Sequence, residues 1–298
     1  MTDIDRYPYW RPLDLNHGVA LQKALRDSEP QSSELTFTNL FMWRIYYGLQ
    51  ISMQDETILL KAEPEDQPSF LLPTVGPPLD PVRLRDIVEA LGPDGCIARA
   101  DAAWIKRNPG LKGSFGTTAD RDQFDYVYRT EDLISLSGRK FHRKKNHLNR
   151  FLKTYEFTYD ELNPDMTDAC LRLAEEWCQV RNCEEHPSLK GEERAIREAL
   201  LHWSHLPFRG GAIFIDGRLE AFSLGEHLNS GTAVIHIEKA NADYQGIYAA
   251  LNQLFVQHAW SHTEFINREQ DLGEPNIRKA KESYVPYRFI EKYRLIPK

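Results

Sequence analysis

Cysteine is scarce in this chain: of 298 residues only Cys96, Cys170, Cys178 and Cys183 are cysteines, and none stands in a CxxC pair or beside a histidine at zinc-ligand spacing. That argues against a structural zinc site and leaves no ligand cluster for a catalytic metal. Cys170 and Cys178 fall within an amphipathic helical pattern and read as small core residues. Also missing is any run approaching the ~20 apolar residues of a membrane span. The opening MTDIDRYPYWRP has no basic region followed by an apolar one. The expectation is a soluble, cytoplasmic protein without an integral membrane segment. Positive charge is not in excess either, with 37 Lys and Arg against 44 Asp and Glu, which excludes a protein that coats nucleic acid along its whole surface. What is present is 41% hydrophobic and 11% aromatic residues, enough to bury the core of one large domain or of two ordinary ones.

The charge is unevenly spread. Residues 1–135 hold 14 bases against 21 acids, whereas residues 136–298 hold 23 of each. The difference comes from SGRKFHRKKNHLNRFLK at 137–153, with seven Lys or Arg and no acid. Read as a helix, Lys140, Arg143, Lys144 and His147 form one stripe and Phe141, Leu148 and Leu152 an adjacent one. The apolar stripe docks and the other presents cations. Unpaired cations at that density repel one another unless an anion faces them. Phosphate or RNA backbone is one partner, and the acidic N-terminal part of this chain is the other.

The periodicities give an element order. A short helix around TNLFMWRIYY precedes two alternating runs that turn at Gln54–Glu56, then a strand SFLLPTVG, then a helix from Pro81 to Gly92. From Pro164 onward, Asp165 reads as an N-cap for a helix with Met166, Cys170, Leu173, Trp177 and Val180 inward, and a second helix runs from about Glu192 to His205. Asp216-Gly217 and the Asn-Ser-Gly at 229–231 mark the turns of a three-stranded meander. A helix after Gly246, a strand EFIN, a helix EPNIRKAKESY and a final strand YRFIEKYRLI complete the chain. Both parts carry a hairpin, a further strand and then a helix, a pattern that suggests two related units. The expected organisation is an N-terminal domain over 1–135, a basic connecting helix and linker over 136–163, and a C-terminal domain over 164–298.

This order resembles that of the GNAT acyltransferase fold. FTNLFMWR, GRKFHRKKNHLNRF and FINREQDLGEPNIRKAKESYVP resemble, more narrowly, the soluble bacterial family named after the C-terminal catalytic domain of phosphatidylglycerol lysyltransferase, over essentially the whole chain. The resemblance implies an α/β (α+β) protein of two tandem GNAT-like domains with mixed, mostly antiparallel sheets. It also implies kinship with enzymes that move an aminoacyl group from aminoacyl-tRNA to a lipid or peptidoglycan precursor. A fold does not by itself carry a function.

The resemblance places the site in the C-terminal domain. Tyr244, Gln245, Gly246, Ile247 and Tyr248 occupy the turn at which GNAT domains hold the donor's pyrophosphate on backbone N–H groups. The GNAT turn usually has Gln or Arg first and Gly or Ala last, three positions before and two after the glycine. Here those positions are Asp243 and Tyr248. An acid beside a phosphate and a bulky ring argue against acetyl-CoA, and fit an aminoacyl-tRNA end or a lost donor site. Glu238 closes the strand AVIHIEKA where such folds open their cleft, as a base for the attacking amine or, alternatively, as the ion-pair partner of Lys239 or a neighbouring base. Plain alternation places Ile235 and Ile237 on one face of that strand, and Val234, His236 and Glu238 on the other. His236 reads as a hydrogen-bonded core histidine. Tyr284 is expected as general acid for the leaving group or as a packed ring. Asp271 is expected among the catalytic residues, and Asn267, Arg268, Glu269, Arg278 and Lys281 as contacts to a zwitterionic aminoacyl group. Alternatively, the loop is solvated, with Asp271 and Glu274 complementing a helix N-terminus. Arg139, Lys140, Arg143 and Lys144 are expected on the donor side against the acceptor end of tRNA or another polyanion. The functional reading is transfer of an acyl, foremost aminoacyl, group from aminoacyl-tRNA or an acyl-CoA to a small-molecule or peptide amine or hydroxyl, without a further cofactor. The alternatives are a non-catalytic module for an anionic ligand and an acetyl-CoA-dependent N-acetyltransferase.

Overall fold

The computed structural model describes residues 4–298, so the first three residues of the N-terminal stretch read above lie outside it. The chain divides into two units, one of residues up to Asp125 together with Ile290–Lys298 and the other of Tyr126–Phe289. This division falls earlier than the expected residue 135. The basic segment therefore belongs wholly to the second unit, and the C-terminal end to the first.

The first unit runs β1 (Arg11–Pro12), α1 (Gly18–Ser28), α2 (Phe37–Trp43), β2 (Gln50–Gln54), β3 (Thr57–Ala62), β4 (Phe70–Leu71), α3 (Pro81–Glu89), β5 (Cys96–Asp101), α4 (Ala102–Arg107), α5 (Leu111–Ser114) and β6 (Phe115–Ala119). The β2–β3 hairpin turns at Asp55, which takes the left-handed conformation (φ 55°). Helix α3 starts where its sequence dictates. Pro81 stands at the first turn, and the Asp80 carboxylate accepts from the N–H groups of Val82 and Arg83. Its buried Leu84, Ile87 and Val88 pack on Leu59, Leu71, Ile97 and Trp104.

The second unit runs β7 (Asp125–Arg129), α6 (Thr130–Ser135), α7 (His142–Thr154), β8 (Thr158–Glu161), α8 (Thr167–Arg181), α9 (Pro187–Leu201), β9 (Arg209–Ile215), β10 (Arg218–Asn229), β11 (Thr232–Ala240), α10 (Ile247–Ala259), β12 (Phe265–Asn267), α11 (Pro275–Glu282) and β13 (Arg288–Ile290). The expected single final strand is broken at Glu291, and its second piece, β14 (Lys292–Pro297), joins the first unit's sheet.

Each unit contains a seven-stranded sheet, ordered β1-β2-β3-β4-β5-β14-β6 in the first and β8-β9-β10-β11-β12-β7-β13 in the second. In each, the fourth and fifth strands of that order, β4 with β5 and β11 with β12, pair in parallel. The sixth place is taken in the first sheet by β14, from the C-terminal end of the chain, and in the second by β7, the strand that opens that unit. Two mixed, mostly antiparallel sheets flanked by helices therefore repeat one topology.

Several local expectations change. Asp165 does not cap α8; Asn163 caps the preceding turn by accepting from the Asp165 N–H. The second helix starts at Pro187 rather than near Glu192. Val180, expected inward, is exposed. Cys178 forms a disulfide with Cys183, while Cys170 is a free, buried core residue. On the basic segment the buried residues are Phe141, Leu148 and Phe151, and Leu152 faces outward. A short turn over Arg139–Phe141 precedes the helix and shifts the docking face by one residue.

Candidate functional site

β11 and β12 pair only from Thr232 opposite Phe265 to Val234 opposite Asn267, and β11 then continues to Ala240 with no β12 residue beside it. Two side-chain pairs span the region beyond. His236 Nδ1 lies 2.7 Å from Glu269 Oε1, and Arg268 donates to Glu238.

Glu238 reaches this place through an irregularity in the strand. The β10–β11 register shifts between Leu224, opposite Ile237, and Gly225, opposite Ile235, leaving His236 as an extra residue. A bulge reverses the alternation of side chains beyond it. Ile235 and Ala240 consequently belong to one core with α10, and Glu238 also faces that helix, accepting from Asn252. Lys239 points the other way, to Glu192 on α9 and over the Trp177 ring of α8. The alternation expected from sequence, with Glu238 opposite Ile235, is thereby overturned.

The Glu238 carboxylate is held on both oxygens. Asn252 Nδ2 donates to Oε1 at 3.0 Å, and Arg268 donates to Oε2 through Nε at 3.2 Å and Nη2 at 2.5 Å. The ion-pair partner is thus Arg268 rather than Lys239. The Arg268 guanidinium lies 4.6 Å from the centroid of Tyr284 and 5.8 Å from that of Tyr128. Lys144, from α7, brings its Nζ to 4.1 Å from the same Tyr284 centroid. Two cations share one ring, whose negative face attracts both. Burial pushes the Tyr284 hydroxyl up to about 12, with Glu238 reinforcing and Arg268 opposing the shift, so it stays a proton donor. Burial alone would pull Arg268 down, but the Glu238 carboxylate together with Tyr284 and Tyr128 outweighs it and the guanidinium's pKa is raised.

Two buried atoms of this cluster have no hydrogen-bond partner: Arg268 Nη1, a donor, and Asn252 Oδ1, an acceptor. Leaving such atoms unpaired costs about 1–3 kcal/mol each. Native proteins keep few of them, and a bound molecule is one way they become satisfied.

The other expected residues lie around this cluster. Asp271 is fully buried; its carboxylate accepts from Tyr126 Oη at 2.6 Å, from Arg278 Nε at 2.9 Å and Nη2 at 2.8 Å, and from the Gly273 N–H. That network holds it well below the usual carboxylate range against the opposing effect of burial. An acid so engaged fixes the loop and has no exposed oxygen for proton transfer. Lys281 Nζ donates to the backbone carbonyls of Arg268 and Gln270, and the buried Asn267 side chain accepts from the Glu269 N–H. Glu269 and Glu226 hold the buried His236, raising it to about 9 against the pull of burial. Asn267, Glu269, Asp271, Arg278 and Lys281 thus form the frame around Arg268, and His236 is a hydrogen-bonded core residue. Arg139, Lys140 and Arg143 stand exposed on and before α7, with Lys140 paired to Asp132 at 3.2 Å.

The turn before α10 is engaged internally. Gly246 (φ 93°) begins the helix so close to α7 that an added Cβ would lie 2.4 Å from the His147 carbonyl oxygen. The Gln245 N–H donates to Tyr155 Oη, the Ile247 N–H to the Tyr244 carbonyl, and Tyr248 Oη to the Ala240 carbonyl. The first two are backbone N–H groups of the kind with which a GNAT turn receives a phosphate.

Sequence reading missed Asn252 and Tyr128. A lone asparagine within the apolar run IYAALNQLFV was the available signal for the first; Tyr128 had none. A cleft of about 370 Å³ in the first unit, lined by Asp27, Leu35, Trp104 and Arg107, has its polar groups engaged. Trp104 Nε1 donates to the Thr74 carbonyl and Arg107 to the Ser28 carbonyl.

Comparison with known proteins decides the family. Residues 25–296 match the model of the phosphatidylglycerol lysyltransferase C-terminal family. The chain belongs to this family. A conserved protein of unknown function from Bacteroides thetaiotaomicron is 32% identical and superposes with a TM-score of 0.89 over 97% of this chain and 99% of that one. L-PGS from Bacillus licheniformis shares the fold at 12% identity and a TM-score of 0.64, over 98% of this chain and 93% of that one. A tandem GNAT protein from the clavulanic acid biosynthesis pathway does so at 9% identity and a TM-score of 0.50, over 97% and 98%. An uncharacterised protein of Mycoplasmoides gallisepticum is 27% identical over 186 residues, 57% of this chain and 54% of that protein, so the match spans about half of that relative's length. Family and fold thus relate this chain to lysyltransferases and GNAT-like acyltransferases. Among the described residues no helix is long and apolar enough to cross a membrane.

Proposed function

We propose that this protein transfers an acyl group, foremost an aminoacyl group carried as an ester on tRNA, to an amine or hydroxyl of a small molecule or peptide, at the cluster between β11 and β12. The observation that carries the proposal is the convergence of Lys144, Glu238, Arg268 and Tyr284 around two unpaired buried atoms, Arg268 Nη1 and Asn252 Oδ1. A donor such as Nη1 suits the oxygen of an acyl carbonyl, whose negative charge grows as the acceptor attacks. Asn252 Oδ1 suits an N–H or O–H of the cargo or the acceptor. Glu238 serves as the fixed anion that orients both.

The transfer itself is simple to balance. The acceptor's lone pair attacks the carbonyl carbon, the ester C–O bond breaks with its electrons leaving on the ribose oxygen, and one proton passes from the acceptor to that oxygen. The exposed Arg139, Arg143 and Lys145 lie on and before the helix that delivers Lys144, and suit a phosphate backbone leading to the cluster. The internally bonded turn at Tyr244–Tyr248 and the two ion pairs beyond Val234 weigh against acetyl-CoA as the donor.

The test is to incubate the purified protein with a panel of charged tRNAs and acyl-CoAs, following loss of the acyl group and protection from thermal unfolding. Deacylation of one or more aminoacyl-tRNAs, lost in Arg268→Met, is the expected result. No deacylation and no protection by any donor removes the reading. Protection without deacylation supports the non-catalytic module, which the two ion pairs closing the strand gap also favour.

A further inference from the structure

We propose that Lys144 is the proton carrier of the transfer reaction, taking the proton that the acceptor sheds and delivering it to the oxygen that leaves the acyl carbon. This inference deepens the proposed function and rests on it. It begins from a problem that the geometry poses. Glu238, the residue expected to act as base, has both oxygens engaged, by Asn252 on one side and a two-nitrogen Arg268 contact on the other. Protonating it would break the pair that keeps the buried guanidinium in place. Asp271 is sealed under Arg278 and Tyr126, and His236 is clamped between Glu226 and Glu269. Tyr284 can give a proton but is too weak an acid to be found without one near neutral pH.

Tyr128 Oη donates to the Lys281 carbonyl, and burial raises its pKa, so it too keeps its proton. Lys144 is the remaining titratable group at the cluster. Its amine stands over the Tyr284 ring and is only partly buried, unlike the fully buried Asn252 beside Glu238. The charged groups that face it are Arg268 beyond β12, Glu238 on β11 and Arg143 on its own helix. Burial, and after it the Arg268 charge, pull the amine down to about 8; Glu238 acts in the opposite sense and Arg143 adds to the lowering. A group near that value gives and takes a proton readily at physiological pH. In the step, neutral Nζ accepts a proton from the attacking nitrogen or oxygen as its bond to the carbonyl carbon forms. The resulting ammonium returns it to the ribose oxygen as the C–O bond breaks. Lys144 ends unchanged, and no further reactant is required.

Two variants and one chemical probe test this. Lys144→Arg keeps a cation over Tyr284 but replaces the amine with a group that stays protonated; Lys144→Met keeps most of the stem. Both should bind charged tRNA, and both should lose roughly 10²–10⁴-fold in kcat. Wild-type kcat should rise with pH to a plateau above about 8, and this limb should disappear in Lys144→Arg. Wild-type turnover in Lys144→Arg, or an unchanged rise of kcat with pH in that variant, overturns the proposal. Because turnover fails as a readout if the functional reading is itself wrong, the lysines are also acylated with a limiting amine-selective reagent across pH and followed by mass spectrometry. Lys144 should reach half its maximal rate near pH 8, well below the roughly 10.4 of a lysine side chain in water. A midpoint at that ordinary value overturns the proposal, whatever the protein is found to transfer.

Discussion

The two units repeat one topology, yet they use the same place in it differently. In each, an arginine stands three residues after the start of the fifth strand of the sheet order, Arg99 in β5 and Arg268 just past β12. Each stacks on aromatic rings: Arg99 lies 4.6 Å from Tyr47, and Arg268 the same distance from Tyr284. Each also approaches a glutamate, the buried Glu34 or the half-buried Glu238. In the first unit the second cation is Lys292, fully buried, donating to Glu34 at 2.6 Å and to Asp125 at 2.6 Å. The cavity beside Arg99, lined by Glu34, Trp43, Tyr47 and Phe70, has about 10 Å³ of space, enough for about one water. In the second unit the second cation is the partly exposed Lys144, and Arg268 Nη1 and Asn252 Oδ1 stay unpaired. In the first arrangement Glu34 Oε1 also lacks a hydrogen bond, but Arg99 Nε lies 3.8 Å from it and the second cation is fully buried. The second leaves both a donor and an acceptor unpaired beside a partly exposed cation.

The largest expected effect tests whether the first unit's network is a purely structural one. Lys292→Met leaves Glu34 and Asp125 buried without the cation they share, which should cost about 3–5 kcal/mol in denaturant melts. Donor binding per folded molecule should stay as in wild type. A variant that melts like wild type removes the contrast.

The second effect is a pH dependence in the second unit. His236 is raised to about 9 by Glu226 and Glu269 in spite of burial, against about 6.5 in an unfolded chain. Its contribution, on the order of 3 kcal/mol, is therefore complete below about pH 6.5 and is lost as pH rises through about 9. Denaturant midpoints should fall across that window, and His236→Gln should abolish the slope attributable to this residue. An identical slope in the variant refutes the assignment.

The smallest effect probes how Lys144 is positioned. In Gly246→Ala the new methyl meets the His147 carbonyl at a backbone angle (φ 93°) that suits glycine, at a cost of about 1–3 kcal/mol. Pushing α7 aside should also move Lys144 and return its acylation profile toward that of an ordinary lysine. A loss of stability with an unchanged profile would show that the α7–α10 contact does not set the site.

Much of the fold was legible because it is written locally. Asp216-Gly217, both with positive φ, makes the expected hairpin, and Gly246 starts α10 where the turn predicts. The tandem organisation was readable from the repeated element order. The site was legible in parts: Glu238, Tyr284, Arg268 and Lys144 were each singled out, but their roles were assigned separately, and Lys144 was placed with the polyanion contacts. A stripe of cations on a helical wheel does not reveal that one member turns inward to an aromatic ring while its neighbours remain in solvent. Nor does alternation reveal a bulge, since the extra residue at His236 is defined by the register of β10 rather than by β11 itself.

The sequence by itself determined the turns, the helix starts at Pro81 and Gly246, the basic segment and the repeated order of elements, because each depends on contiguous residues and their backbone preferences. Tertiary structure alone decided that β7 and β14 take the sixth place in their sheets, that Asp271 is sealed by Arg278, and that Glu238 pairs with Arg268 and not with adjacent Lys239. These choices are competitions among many charged and apolar partners of similar chemistry, and burial settles them. Only the partners that the packed sheet brings within hydrogen-bonding distance can offset the cost of taking a charge out of water.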